Sequence, residues 1–347
     1  MRSGGRAMEV LALDVGTGTT DVLLYEEGKE IENCVKLIIP SATRVLAEKI
    51  RKAREKNQDV FLFGHLMGGG PLLRAVMEHI ESGLRVYATE ESAKSLHDNL
   101  ERVRELGVII TESSDALALK TGDLPLEELR EFLRKFEVNL PENIAVAVQD
   151  HGFSQYESNR IFRFRWMKEM LQRDNFLFNL SFEEPPEYLT RMKAVARSIE
   201  RDFRERIIMD TGFSALAGAS QSSSERTLII NAGNGHTLAG IVEDGYLLGI
   251  FEHHTRMVDE SYPKMIEKFI KGELTFEEVF SAGGHGALIL ERAGRVERTL
   301  IVGPKREKIR NAGVEGELPA PYGDMMLTGC FGLLRSFFWK KRGEIPL

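Results

Sequence analysis

The chain has 347 residues, 42% hydrophobic and 29% charged, with a formal net charge of −7. That length supports two domains with a core each, and the acidic balance argues against a broad nucleic-acid-binding surface, which needs a basic footprint. Two cysteines, Cys34 and Cys330, exclude a disulfide framework and a Cys-ligated iron–sulfur cluster held within one chain, and make the cytoplasm the expected compartment.

Residues 1–7 read as a disordered tail without the hydrophobic run of a secretory signal. No apolar stretch approaches the roughly 20 residues of a membrane span. From Met8 the first segment is LALDVGTGTTDVLLYEEG, a glycine loop between two apolar runs. A dinucleotide fingerprint needs a third glycine where Asp21 stands, and a P-loop needs a Lys-Ser or Lys-Thr pair before a helix. Neither is present. The run after the loop has no helical period and reads as a second strand, an acidic-Gly turn and a third strand. The loop therefore joins strand to strand, where backbone N–H groups and threonine hydroxyls can cradle phosphate.

SATRVLAEKIRKAREK (41–56) predicts a helix with Ser41 as N-cap. VFLFG (60–64) is a buried strand opening into HLMGGGPL, followed by a helix over 71–82. Strands at LRVYA (84–88), GVII (107–110) and IAVAVQDHG (144–152) alternate with helices, the pattern of an α/β fold. RIFRFRWMKEMLQR (160–173) interleaves arginine with aromatics; in an acidic chain this is an amphipathic face packed on its own fold, with Arg stems covering the rings. Residues 160–205 are mostly helical, broken at the prolines of SFEEPPE.

TLIINAGNGHTLAGIVEDG (227–245) repeats the layout of 10–28 at one constant offset without a gap. Asp14 aligns with Asn231, Gly16 with Gly233, Gly18 with Gly235 and Thr20 with Thr237. Together the two segments resemble the phosphate motifs of the superfamily of actin, the seventy-kilodalton heat-shock chaperones and the sugar and acetate kinases. RIIMDTGFSALAGAS (206–220) is similar to that superfamily's domain-connecting segment, and GDMMLTGCFGLLRSFF to its last helix. Two stretches, TLIVGPKREKI with Gly303 and VFSAGGHGALI with Gly283, are alternatives for the nucleoside-binding turn. The whole chain from Met8, including GHLMGGGP and VQDHGF, resembles an archaeal and bacterial family labelled as related to the pyruvate formate-lyase activating enzyme. The radical chemistry of that label needs a three-cysteine motif, which two cysteines cannot supply.

The resemblance implies two similar actin-like (ribonuclease H-like) α/β domains, 8–205 and 206–320, with a nucleotide cleft between them and a C-terminal helix (321–347) returning to the first. It implies Mg-ATP gripped by Gly16, Thr17, Gly18, Thr19 and Thr20 on one side and by Asn231, Gly233, Asn234, Gly235, His236 and Thr237 on the other. Asp14 would orient Mg2+, and Asp210 would position or deprotonate the attacking nucleophile. A small-molecule acceptor would be held by His65, Gly68, Gly69, Gly70, Asp150 and His151, with Gly283, Gly284 and His285. Asn231 brings no charge where many relatives carry aspartate, so the metal would rest on Asp14. The short stretch between Thr237 and Gly283 leaves little room for a chaperone subdomain and favours a kinase over a nucleotide-switched ATPase with a protein partner. Four of the eight histidines adjoin glycines; imidazole is a common metal ligand, but no His-x-x-x-His spacing appears, so loop donors to phosphate or backbone are the preferred reading over a histidine metal site.

Overall fold

The computed structural model describes residues 7–154, 156–220 and 225–345; most of the expected tail, 1–6, lies outside them. The first three strands are β1 (Glu9–Val15), β2 (Thr19–Glu26) and β3 (Val35–Pro40). They form an antiparallel meander, with Asp14 opposite Asp21 across the first hairpin. A helical layer and a small sheet come next: α1 (Ala42–Glu55), β4 (Val60–Gly64), α2 (Gly70–Glu81), β5 (Val86–Ala88), α3 (Glu90–Ala93), α4 (Leu100–Glu105), β6 (Ile109–Ile110) and β7 (Leu117–Thr121). The chain then runs through α5 (Leu126–Arg134), β8 (Asn143–Val148), α6 (Asn159–Arg173), β9 (Ser181–Phe182), α7 (Thr190–Ile199), β10 (Glu205–Met209) and α8 (Thr211–Ala219). The second half contains β11 (Thr227–Ala232), β12 (His236–Glu243), β13 (Tyr246–His254), α9 (Tyr262–Lys271), α10 (Phe276–Ser281), β14 (Gly286–Ile289), β15 (Arg298–Val302), α11 (Arg306–Asn311) and α12 (Thr328–Arg342).

The first large sheet has the order β3-β2-β1-β8-β10-β9, with β8 parallel to β1, β10 parallel to β8, and the short edge strand β9 antiparallel to β10. The second is β14-β13-β12-β11-β15, again a meander followed by a strand parallel to its first member. Central strands such as β1 and β8 are buried on both faces, which is why they read as continuous apolar runs rather than alternating ones. A meander extended by parallel strands, built twice, is the actin-like (ribonuclease H-like) architecture.

Residues of the third sheet, β6-β5-β4-β7, are all parallel. Together with α1 and α2 they enclose their own core, including Leu46, Ile50, Val60, Leu72 and Val86. The α/β alternation was visible in sequence, but not that it forms a separate layer inserted between β3 and β8. Because β4 is paired on both sides, by β5 and β7, it has no free edge with which to extend the first sheet.

Helices α8 and α12 cross at small residues. A Cβ on Gly218 would collide with the Thr328 carbonyl, and one on Gly332 with the Ser214 carbonyl, so both backbones touch only because neither residue has a side chain. The Cys330 thiol on α12 meets the Asp21 carbonyl at 3.2 Å, which fixes this helix against the first hairpin. The acid Asp324 precedes α12 rather than opening it. Ser41 flanks α1 but makes no side-chain cap; its hydroxyl donates instead to the Thr17 carbonyl at 2.9 Å, bracing the first glycine loop. Among the described residues no helix is long and apolar enough to cross a membrane.

Candidate functional site

The two glycine loops lie face to face between the large sheets and close in the same way. Gly16 N–H donates to the Thr19 carbonyl at 2.9 Å, and Gly233 N–H donates to the His236 carbonyl at 2.9 Å. The second loop is braced by Thr255, whose hydroxyl donates to the Gly233 carbonyl (2.8 Å) and meets the Thr237 hydroxyl at 2.9 Å. Between the loops contact is close: the Asn234 amide occupies the space where a Cβ of Gly18 would stand, and the Thr17 hydroxyl lies against Gly235.

Behind this contact a space of about 70 Å³ is bounded by Asp14, Asp21, Thr211, Asn231, Gly303 and Met325, among others. Asp14 and Asp21 are buried, and each has one carboxylate oxygen without a hydrogen-bond partner; the buried Thr20 hydroxyl has none either. Burial pushes the Asp14 carboxyl well above the usual range, and the Asp21 and Asp210 charges add to this, opposed by the nearby Thr211 side chain. Asp21 is pushed up to about 7, again chiefly by burial. Buried carboxylate oxygens without a protein partner fit a hard divalent cation such as Mg2+. Gly303, at φ +94°, stands beside the Asn231 side-chain oxygen at this pocket. Gly283 and Gly284 pack instead against Met257, Val279 and His253, away from it.

On the other side of the loops the cleft opens into a cavity of about 550 Å³, reached by Gly16, Thr17 and Gly235. The Gly68–Gly70 turn, Asp150 and His151 line it; His65 does not, being paired with Glu91 at 3.2 Å. The triple glycine is a close-approach device. A Cβ on Gly69 would strike the Ser95 carbonyl, and Gly68 N–H donates to Asp123, which Arg191 grips through two nitrogens. Asp150 acts locally, accepting from Gly152 N–H (2.7 Å) and from Met192 N–H (2.9 Å), where it caps the start of α7.

Asp210 is committed to a cation. It caps α8 through Gly212 N–H, and both its oxygens bond the guanidinium of Arg163, which also binds Glu252 at 2.6 Å. All three side chains are almost wholly buried. Burial alone would raise the Glu252 carboxyl; the Arg163 charge outweighs it and holds the group below the usual carboxylate range. Asp210, expected from sequence to act on a nucleophile, holds a buried ion pair and a helix cap in this structure. Sequence reasoning missed Arg163: the Arg-aromatic alternation of α6 placed it on a packed face, and Arg165 does lie over Phe162 at 4.8 Å. Nothing local marked Arg163 as the residue that turns inward.

Four histidines meet at the mouth of the second loop. His151 Nε2 and His285 Nε2 are 3.2 Å apart, and the His236 ring lies 4.8 Å from those of His254 and His285. Burial, opposed by Glu252 and reinforced by His236 and Arg163, pushes His285 down to about 3. Burial likewise lowers His151, His236 and His254, the last to about 4.

Strand order and paired glycine loops define an actin-like two-domain protein. The chain belongs to the family described as "Putative pyruvate format-lyase activating enzyme (DUF1786)", which matches residues 67–308. Both cysteines of this chain are free and buried. Among solved structures it is similar to an exopolyphosphatase-like protein (10% identity, TM-score 0.30, covering 86% of this chain and 66% of that one). It is also similar to the activator of the 2-hydroxyisocaproyl-CoA dehydratase from Clostridium difficile with bound ADPNP (11%, TM-score 0.34, 94% and 92%). A third is the (R)-2-hydroxyglutaryl-CoA dehydratase component A of Acidaminococcus fermentans (12%, TM-score 0.33, 97% and 100%). The chain spans about 66% of the length of the exopolyphosphatase-like protein. No curated protein matches the sequence.

Proposed function

We propose that the protein binds Mg-ATP between its two glycine loops and transfers the terminal phosphoryl group to a small-molecule acceptor. The observation that carries this reading is the paired construction of the loops: the same closing hydrogen bond in each, facing one another across a pocket with unpartnered buried carboxylates. Phosphoryl transfer asks chiefly for positioning and charge neutralisation. Backbone amides of 16–19 and 233–236 would hold the phosphates, and Asp14 with Asp21 would hold the magnesium, which supplies the neutralising charge. Gly303 lies where the nucleoside would leave the phosphates, and the cavity of about 550 Å³ beyond Gly16 and Gly235 offers room for the acceptor. Asp210 and Arg163 would keep α8 and the loops in register. The space of about 70 Å³ behind the loops is too small for a triphosphate, so nucleotide entry requires the loops to part about the α8–α12 crossing.

A second reading, a nucleotide-switched ATPase acting on a protein partner, draws on one observation. Phe136, in the turn after α5, is 65% exposed and packs edge-on to Phe132, itself 43% exposed, an apolar spot suited to a partner. ATP turnover with Mg2+ across a metabolite panel separates the two. A kinase shows turnover that jumps with one acceptor and collapses in Asp14→Ala; slow hydrolysis indifferent to every acceptor supports the switch. Calorimetry that detects neither ATP nor ADP binding in the presence of Mg2+ overturns both.

A further inference from the structure

We propose that His151, His236 and His285 form a three-histidine site for a divalent transition metal, with an open position facing the interdomain cavity. The three come from different places: His151 follows β8, His236 ends the second glycine loop, and His285 precedes β14. One ring nitrogen of each lies within 4.8 Å of the others. Two imidazole nitrogens bound to one tetrahedral metal at ~2.0–2.1 Å stand about 3.3 Å apart, and His151 Nε2 and His285 Nε2 are already 3.2 Å apart.

A second observation points to a ligand. His236 Nε2 is buried without any hydrogen-bond partner, and an unpartnered buried ring nitrogen is costly unless something binds it. Three imidazoles suit borderline metals such as zinc, cobalt or iron(II) and not magnesium, which prefers oxygen. Three protein ligands leave a position for water or a substrate oxygen, the arrangement of reactive rather than structural sites. His151 and His236 both line the cavity of about 550 Å³, so that position opens toward it. Nearby charges divide: buried Glu252 attracts a cation and Arg163 repels it. His254, register partner of His236 on the next strand, flanks the site. The metal would tie the segment after β8 to the second glycine loop, joining the two halves of the cleft at the end opposite the magnesium pocket. His236 would serve this metal through its ring and the phosphates through its backbone amide, so the two sites meet at one residue and are tested separately.

The test uses the full chain stripped with chelator, then titrated with Co2+ and Zn2+. Expected are one ion per chain by elemental analysis and the visible absorption of tetrahedral cobalt. His236→Ala and His285→Ala should each weaken binding at least roughly tenfold, while His65→Ala, outside the cleft, leaves it unchanged. Should either alanine variant fail to fold, His285→Gln and the wild-type cobalt spectrum carry the test. Binding below one equivalent, an octahedral cobalt spectrum, or equal losses in His65→Ala and His285→Ala would overturn the site. Mg-ATP calorimetry on the same metal-free protein separates the readings: nucleotide binding without zinc binding sinks the metal site alone, and zinc without nucleotide sinks the nucleotide site alone.

Discussion

Arg163 and Asp210 form a two-pronged ion pair, Nη1 to Oδ2 at 2.9 Å and Nη2 to Oδ1 at 3.1 Å, with both side chains out of water. Glu252 completes a charge-assisted triad linking α6, the start of α8 and β13. Removing the arginine leaves two buried carboxylates facing each other. Arg163→Met should therefore cost about 3–5 kcal/mol of stability, read from urea denaturation midpoints. Lysine cannot span both carboxylates in a planar fork, so Arg163→Lys should recover only part of the loss.

The acid pocket makes a prediction about pH. Burial pushes the Asp21 carboxyl up to about 7 in the folded protein, against ~3.9 when unfolded. Between those values the folded state binds the extra proton, so stability falls as pH rises through the window. Above pH 7 the burden from Asp21 is of order 2–4 kcal/mol, and Asp14 acts in the same direction. Asp21→Asn should raise the melting temperature at pH 8 and leave it nearly unchanged at pH 4. Saturating Mg2+ should flatten the wild-type profile at high pH, since the cation stabilises the ionised carboxylates. A variant whose melting temperature matches the wild type at pH 8 contradicts the assignment.

Gly18 faces the Asn234 amide across the loop contact, with no backbone in the way. Its replacement by alanine should displace a flexible side-chain tip at a cost under about 1 kcal/mol. It should nevertheless weaken Mg-ATP at least about tenfold, because a methyl group then stands where the phosphates must meet backbone N–H groups. Calorimetry paired with thermal melts separates the two effects.

At the α8–α12 crossing the contact is backbone on backbone. Gly332→Ala should force the helices apart and cost about 1–3 kcal/mol, measured by thermal or urea unfolding. If the crossing is also the hinge for nucleotide entry, the same variant should alter the ATP association rate more than Gly18→Ala does.

The strand–turn–strand reading of the first loop and its later echo were open to sequence because they are local. Apolar runs, the acidic-Gly turns at Gly28 and Gly245 (φ +88° and +82°) and loop glycines each state their preference within a few residues. The small residues around Gly218 announced a close crossing in the same way. The inserted sheet was different: its helices and strands were visible, but a strand's choice of partners is not written in its own residues. Its separation followed from which edges were filled.

By itself the sequence determined two glycine loops on hairpins, a repeated α/β plan and an acid at the end of β1, because turn chemistry and apolar periodicity act over short spans. Only the tertiary structure decided that Asp210 answers to Arg163 and that Asp150 caps α7. It also brought His151 and His285, 134 positions apart, to within 3.2 Å. Such encounters depend on how whole layers pack, and the free energy of burying a charge or an imidazole is set by neighbours that the local sequence does not name.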